Sequence, residues 1–227
     1  MSLSIISLGG SLIVPNGHID TAYLKQFSAC IRRRLKKGDH FVIVTGGGGV
    51  TREYQRAARA LTALTRDDLD WLGIHVTRLN AHLLRTIFRD VARPALCKDP
   101  TRIARPKKYP IVIGAGWKPG WSTDYVAVRI AKRLQASMVV NLSNIDYVYD
   151  KDPRKFKTAK PIQEIDWPSF RELVGSTWDP GLHAPFDPVA SRLAHHAGIP
   201  VVIVNGKHLD NIENGLDGKP FKGTLIR

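Results

Sequence analysis

The stretch Phe41-Val-Ile-Val-Thr45-Gly-Gly-Gly-Gly49-Val-Thr51-Arg52 decides the fold. Phe41 to Thr45 is short, unbroken and rich in β-branched side chains, as a strand buried on both faces is. Four consecutive glycines follow, and a helical period of Tyr54, Ala57, Ala58 and Leu61 opens at Thr51 and Arg52. A glycine-rich turn from strand to helix brings bare backbone N–H groups and the positive end of a helix dipole close to an anion. A tight turn needing positive φ accounts for one or two such glycines. Four, with a guanidinium three residues later, exceed what a turn needs and point to phosphate.

The same grammar repeats outward. Leu3 to Leu8, Ile111 to Ile113, Met138 to Leu142 and Val201 to Val204 read as further buried parallel strands. Between them lie helical patterns. Asp20 caps a helix carrying Leu24, Phe27, Ile31 and Leu35 that stops at Gly38. A long helix from about Arg66 shows Leu72, Val76, Leu79, Leu83, Ile87 and Val91 on one face behind a Thr65-x-x-Asp68 capping box. Another starts near Ser122 or Thr123, and Asp166 and Asp187 each cap a helix with proline in its first turn. Alternating strands and helices predict an α/β fold, a three-layer α/β/α sandwich around a mainly parallel sheet in a single domain over 1–227. Ligands in such sheets lie beyond the carboxyl ends of the strands, so the turns at Gly9, Gly46, Gly114 and Asn144 should meet on one rim.

Composition narrows the classes. The chain of 227 residues is long enough for a full core. Its two cysteines, Cys30 and Cys97, are far apart with no CxxC spacing, and no charged, apolar leader precedes the first strand, which reads as a reducing cytoplasm. Apolar runs fall far short of the roughly 20 residues of a membrane span, so no membrane partner is expected. Thirty-four Lys and Arg against twenty Asp and Glu give a net charge of +14, attractive to nucleic acid or to phosphorylated small molecules. The densest cluster, Arg32 to Arg34 with Lys36 and Lys37, lies at a helix end where cations complement the dipole, so a solvated helix end is favoured over a nucleic-acid patch. Arg102, Arg105, Lys107 and Lys108 lie in a proline-bearing segment read as a mobile connection.

Each motif has a plain reading beside its chemical one. Ser7-Leu8-Gly9-Gly10-Ser11 exposes amides and a hydroxyl suited to phosphate, or is simply a turn. Arg52 offers a planar fork for bidentate phosphate contact, although a solvated arginine is the alternative. Asp70 can accept from sugar hydroxyls or merely complement a helix dipole. The loop Gly114 to Asp124, with Trp117 and Trp121, can stack on a base or can be a Ser-Thr helix cap with packed aromatics. Ser143-Asn-Ile-Asp146-Tyr-Val-Tyr149-Asp-Lys-Asp152 mixes carboxylates and aromatics fit for a metal-bound nucleotide, or forms Asx turns.

In this order, the motifs resemble the amino acid kinase superfamily, and within it the archaeal-type uridylate (UMP) kinases. The resemblance runs over the whole chain and rests most on Asp70-Trp-Leu-Gly-Ile74 with Thr77-Arg-x-Asn80-Ala81, on Pro119-Gly-x-Ser-Thr-Asp124, and on Asn144-x-Asp146-x-Val-Tyr149. It implies an acceptor-binding part over roughly 1–135 and an ATP-binding part over roughly 136–227. UMP would contact Gly47, Asp70, Trp117, Lys118, Pro119, Gly120, Trp121, Ser122 and Thr123. ATP would contact Ser7, Leu8, Gly9, Gly10, Ser11, Gly48, Arg52, Ser143, Tyr149 and Asp152, with Arg52 and Asp146 in catalytic roles. The implied reaction moves the γ-phosphoryl group of ATP, carried with Mg²⁺, to UMP, giving UDP without a covalent enzyme intermediate. The resemblance implies no protein-held metal site, and it implies a homo-oligomer, a hexamer in many relatives.

Two positions depart from the pattern. Ser7 stands where many superfamily members carry lysine, and Tyr147 stands where glycine is usual. Tyr at positive φ would cost about 1 kcal/mol or more, so that turn is expected to have changed shape. Lys118 or Lys151 is the expected source of the missing charge. The rival readings are a kinase for another small phosphate or carboxylate, and a non-catalytic nucleotide or oxyanion binder; the intact acceptor-side pattern favours the UMP kinase.

Overall fold

A computed structural model describes residues 2–105, 108–177 and 184–227. In chain order the first half contains β1 (Leu3–Leu8), a single-turn α1 (Gly10–Ile13), α2 (Thr21–Lys36), β2 (His40–Thr45), α3 (Gly48–Leu61), α4 (Arg66–Ile87) and β3 (Ile111–Gly114). The second half adds α5 (Thr123–Leu134), β4 (Val139–Ser143), β5 (Val148–Tyr149), β6 (Pro161–Ile162), β7 (Glu164–Ile165), α6 (Trp167–Val174), α7 (Pro188–His196), β8 (Val201–Asn205), α8 (Leu209–Leu216) and β9 (Gly223–Ile226).

The main sheet runs β3-β2-β1-β4-β8-β9-β7. From β3 to β8 all pairings are parallel; β9 is antiparallel to β8, and β5 with β6 forms a separate two-stranded ribbon. Successive strand residues feed opposite cores, because side chains alternate across a pleated strand. Ile5, Val42, Val44 and Val139 join α5, α6 and α7 on one face. Ile6, Ile43, Ile113 and Val140 join α1, α2, α4 and α8 on the other. Three layers follow, as the alternation of elements predicts. The expected caps are present at Asp20, Thr65, Ser122, Asp166 and Asp187, and the Thr65–Asp68 capping box is complete.

Four expectations change. α3 packs on α4 and on the turn at Pro15–Gly17, not on the sheet, so its apolar stripe turns outward: Tyr54 is 58% and Leu61 86% exposed, and Gln55 is the one buried residue of this helix. In α4 the inward face is Ile74, Thr77, Ala81 and Leu84, while Leu79 points to solvent, and the helix ends before Val91. The arginines at the end of α2 are not merely solvated. Arg32 pairs with Asp90, Arg33 with Glu213, and buried Arg34 with both Asp39 and Asp217, so this basic cluster ties α2 to distant segments. The segment carrying Arg102 and Arg105 is likewise fixed: Arg105 donates twice to the Leu134 carbonyl at the end of α5, and Arg133 donates to Ile103. Lys107 of that cluster lies outside the described residues.

Candidate active site

Parallel pairing puts the carboxyl ends of β3, β2, β1, β4 and β8 along a single rim. The first two glycine bends meet there backbone to backbone. Gly46 N donates to the Leu8 carbonyl at 2.8 Å, and Gly9 N donates to the Leu142 carbonyl at 2.9 Å. Leu8 itself is buried, so only its backbone faces the bend. A Cβ on Gly10 would lie 2.2 Å from Gly48 N, and one on Gly48, at φ +70°, would lie 2.4 Å from the Gly10 carbonyl oxygen. No other residue allows this approach. Asn80 of α4 fastens the second bend by donating to the Gly46 carbonyl at 2.8 Å. Gly47 caps α3, Ser11 lies in α1 beside Gly9, and Arg52, the fifth residue of α3, stands exposed with no carboxylate partner among the described residues, a cation left open to an anion.

The loop after β3 hangs from α4. Thr77 Oγ1 accepts from Gly116 N at 2.9 Å, Arg78 Nη2 donates to the Trp117 carbonyl at 3.0 Å, and Asp70 accepts from Gly120 N at 2.7 Å. Gly120 has φ +85°, which opens the turn before Trp121. Burial pushes the Asp70 carboxyl up, against the lowering effect of the Gly120 bond and Arg66. Trp117, Trp121 and Tyr125 form a stack, with 4.0 Å between the last two ring centres. Ser122 caps α5 at Tyr125 N, and Thr123 opens that helix, after Lys118 and Pro119 earlier in the same loop.

Asp124 closes the Pro119-Gly-x-Ser-Thr-Asp124 motif, which assigns it no role, yet the structure ties it to two strand ends. The residue is half-buried at the rim, while its carboxyl group lies inside. It accepts from Ser7 Oγ at 2.8 Å and from Asn141 Nδ2 at 3.4 Å, joining the ends of β1 and β4. Burial, then the nearby Asp187 carboxylate, push it up to about 6. Asp187 in turn caps α7 through Val189 N and Ala190 N. Two residues past a Ser cap, an aspartate reads as dipole complement, which hides this role in the sequence.

On the other side of β4, Asp146 accepts from Asn205 Nδ2 and Lys222 Nζ, each at 2.8 Å. The Lys222 bond chiefly holds its carboxyl below the usual range. Ser143 accepts from Gly206 N, and the Tyr147 and Tyr149 rings meet edge to face at 6.5 Å. Tyr147 is not among the residues with positive φ, so its side chain carries no strain of that kind. Asp152 lies farther along, capping Arg154 N and pairing with that exposed guanidinium. Lys118 stands 4.5 Å over the Trp117 ring and Lys151 5.6 Å from Phe156, each against an aromatic ring of its own segment. Asn205 and Lys222 lie outside the quoted motifs, Asn80 and Asp124 stand inside them without an assigned role, and the topology brings all four to the rim.

The sequence pattern described as the Amino acid kinase family matches residues 2–205. This chain belongs to the amino acid kinase family. Over its full length it is 34% identical to the uridylate kinase of Methanospirillum hungatei, covering 95% of that protein. It is 33% identical to the uridylate kinase of Methanothermobacter thermautotrophicus, with 95% of each chain covered. Among solved amino acid kinase folds, the uridylate kinase of Archaeoglobus fulgidus superposes with a TM-score of 0.83 at 28% identity, covering all of both chains. The UMP kinase of Bacillus anthracis, at 21% identity and a TM-score of 0.81, shares the fold.

Proposed function

We propose that this amino acid kinase transfers the γ-phosphoryl group of ATP to UMP, producing UDP. The observation that carries the reading is the two-sided rim. Paired glycine bends offer amides at its middle, a loop suspended from Asp70 lies on one side, and the Asp146 and Tyr149 element lies on the other. Uridylate kinase relatives that match end to end support the same substrates.

In this reading UMP lies on Gly47 and Asp70, against Trp117, Lys118, Pro119, Gly120, Trp121, Ser122 and Thr123. Asp70 already holds the loop through one oxygen, leaving the carboxylate to accept from ribose hydroxyls with the other. ATP lies over Ser7 to Ser11 and Gly48, and reaches Ser143, Tyr149 and Asp152. Phosphoryl transfer needs little covalent chemistry from the protein; alignment and charge stabilisation supply the rate. The bends hold the phosphates by amides, Arg52 neutralises the transferred group, and Asp146 orders the donor side.

Magnesium fits this rim. It is bound typically through substrate phosphates with one or two carboxylates, and the Asp124 carboxyl, raised by burial and by Asp187, is a group whose ionised form a divalent cation would favour. When bound with ATP it supplies charge neutralisation between the phosphates.

The outward stripe of Tyr54 and Leu61 with Trp71 and Leu79 of α4 supports a homo-oligomer, for which the family resemblance suggests a hexamer. No described helix is long and apolar enough to cross a membrane, and the buried, unpaired Cys30 and Cys97, whose thiols burial pushes up to about 12 and about 11, suit a reducing cytoplasm. UDP formation from UMP and Mg-ATP tests the reading, with CMP and isopentenyl phosphate as competing acceptors. Arg52→Ala should lose activity, and Asp70→Asn should raise the KM for UMP. Wild-type kinetics in both variants, or a clear preference for another acceptor, would overturn the assignment.

A further inference from the structure

The start of β9 brings a cation to the rim. β9 runs antiparallel to β8 with Gly223 beside Val204, so Lys222 emerges at the same end as the carboxyl termini of β4 and β8. Asn211 of α8 pins the backbone of Lys222, accepting from its N–H at 2.6 Å and donating to its carbonyl. From that fixed root the side chain reaches inward to Asp146, while remaining 52% exposed. Asn205 holds the other Asp146 oxygen, and His208 Nε2 lies 3.9 Å from it.

Lys222 is the lysine that an ion pair holds at the Asp146 loop. The first bend offers amides, and the Ser7 hydroxyl is already engaged by Asp124. Lys118 and Lys151 stand over aromatic rings of their own segments. Adjacent strands lie about 4.8 Å apart, so an ammonium held at the Asp146 loop after β4 is one strand away from the bend after β1, within the span of a polyphosphate. An exposed ion pair holds its partners weakly in water, whereas a multiply charged phosphate is a stronger acceptor for the same ammonium. Asp146 does not lose its support when the lysine leaves, because Asn205 still donates to it.

We infer that Lys222 is a binding residue for the polyphosphate of the donor nucleotide, held in reserve by Asp146 and transferred from that carboxylate to a phosphate oxygen when the nucleotide binds. The inference rests on the donor side of the proposed kinase reaction. A purely structural Lys222 would serve only to neutralise Asp146, and a double-mutant cycle separates the two.

Isothermal titration of the full chain with ADP, and separately with UMP, is the test. Lys222→Met should weaken ADP binding about tenfold, the range of one charge-assisted hydrogen bond, with UMP binding and the unfolding midpoint unchanged. Lys222→Arg should recover most of the loss, and adding Asp146→Asn to Lys222→Met should not. Unchanged ADP affinity in Lys222→Met, or recovery of wild-type affinity in the double variant, would overturn the inference while leaving the kinase reading intact. A folded wild-type protein that binds no ADP would overturn the donor reading and this inference with it.

Discussion

Replacing Asp124 by Asn should stabilise the protein above neutral pH and leave it no more stable in acid. The folded carboxyl titrates at about 6 against an ordinary 3.8. The folded state therefore holds its proton more tightly than the unfolded chain does. Stability from this group is fully present below pH 3.8 and declines as pH rises through about 6. At 1.36 kcal/mol per pH unit, that interval corresponds to a cost of about 3 kcal/mol once the group is ionised. An amide carries no such cost, but turning its NH₂ toward Ser7, Asn141 or the backbone of Asp187 loses about 1 kcal/mol of hydrogen bonding. A net gain of about 1–2 kcal/mol at pH 7.5 remains, or roughly 3–6 °C in midpoint for a chain of this size. Thermal unfolding of the ligand-free protein between pH 4 and pH 8 reads it directly. If Asp124→Asn lowers the midpoint at pH 7.5 by as much as at pH 4, the carboxyl is not strained in the folded state and the reasoning fails.

Gly10→Ala places a Cβ 2.2 Å from Gly48 N, so the two bends must part; urea unfolding should show a loss of about 2 kcal/mol or more, against about 1 kcal/mol for Gly38→Ala, which has φ +88° but open space around it. Arg34→Met leaves Asp39 and Asp217 without their shared cation and should cost about 2–4 kcal/mol, the lower end of the buried-pair range because Asp217 keeps some solvent; an unchanged denaturation midpoint would count against that network. Leu61→Glu with Leu79→Glu should leave the monomer's folding intact, since both side chains point outward, yet reduce the assembly seen by sedimentation velocity. An assembly of unchanged size would place the subunit contact elsewhere.

The strands and caps were legible because their signals are local. Unbroken apolar runs give buried parallel strands, and an Asp or Ser before a helical period gives a cap whatever lies around it. Helix facing was not local. Tyr54, Ala57, Ala58 and Leu61 have the period of a buried stripe, but α3 packs on α4 and leaves that stripe outside. A 3.6-residue period states that a helix has an apolar side; it does not state whether this chain or another covers it. Arg34 reads as a helix-end cation for a similar reason, because Asp39 and Asp217 become its partners only after β2 and α8 are in place. At the rim, glycines announce themselves since few other reasons exist for four in a row. Asp124, Asn205 and Lys222 are ordinary residue types that gain meaning from strand order.

That strand order also explains why the two halves of the site are held differently. On the acceptor side, hydrogen bonds that Thr77 and Asp70 accept from the loop and Arg78 donates to it fix a loop backbone in advance, so a base and ribose would meet a preset shape. On the donor side, Asp146 and Lys222 form an exposed ion pair, an arrangement that water and phosphate can both rearrange. A preset acceptor pocket favours discrimination among bases, because a mismatched edge leaves a fixed polar group unpaired. An exchangeable cation on the proposed donor side would favour turnover, because the ammonium would return to Asp146 as the product nucleotide leaves. The glycine bends between them carry no side chains that could clash with either phosphate, and their mutual contact keeps the two halves in register. Loss of specificity should therefore track substitutions around Asp70, and loss of donor affinity those around Lys222, with Gly10 and Gly48 affecting both.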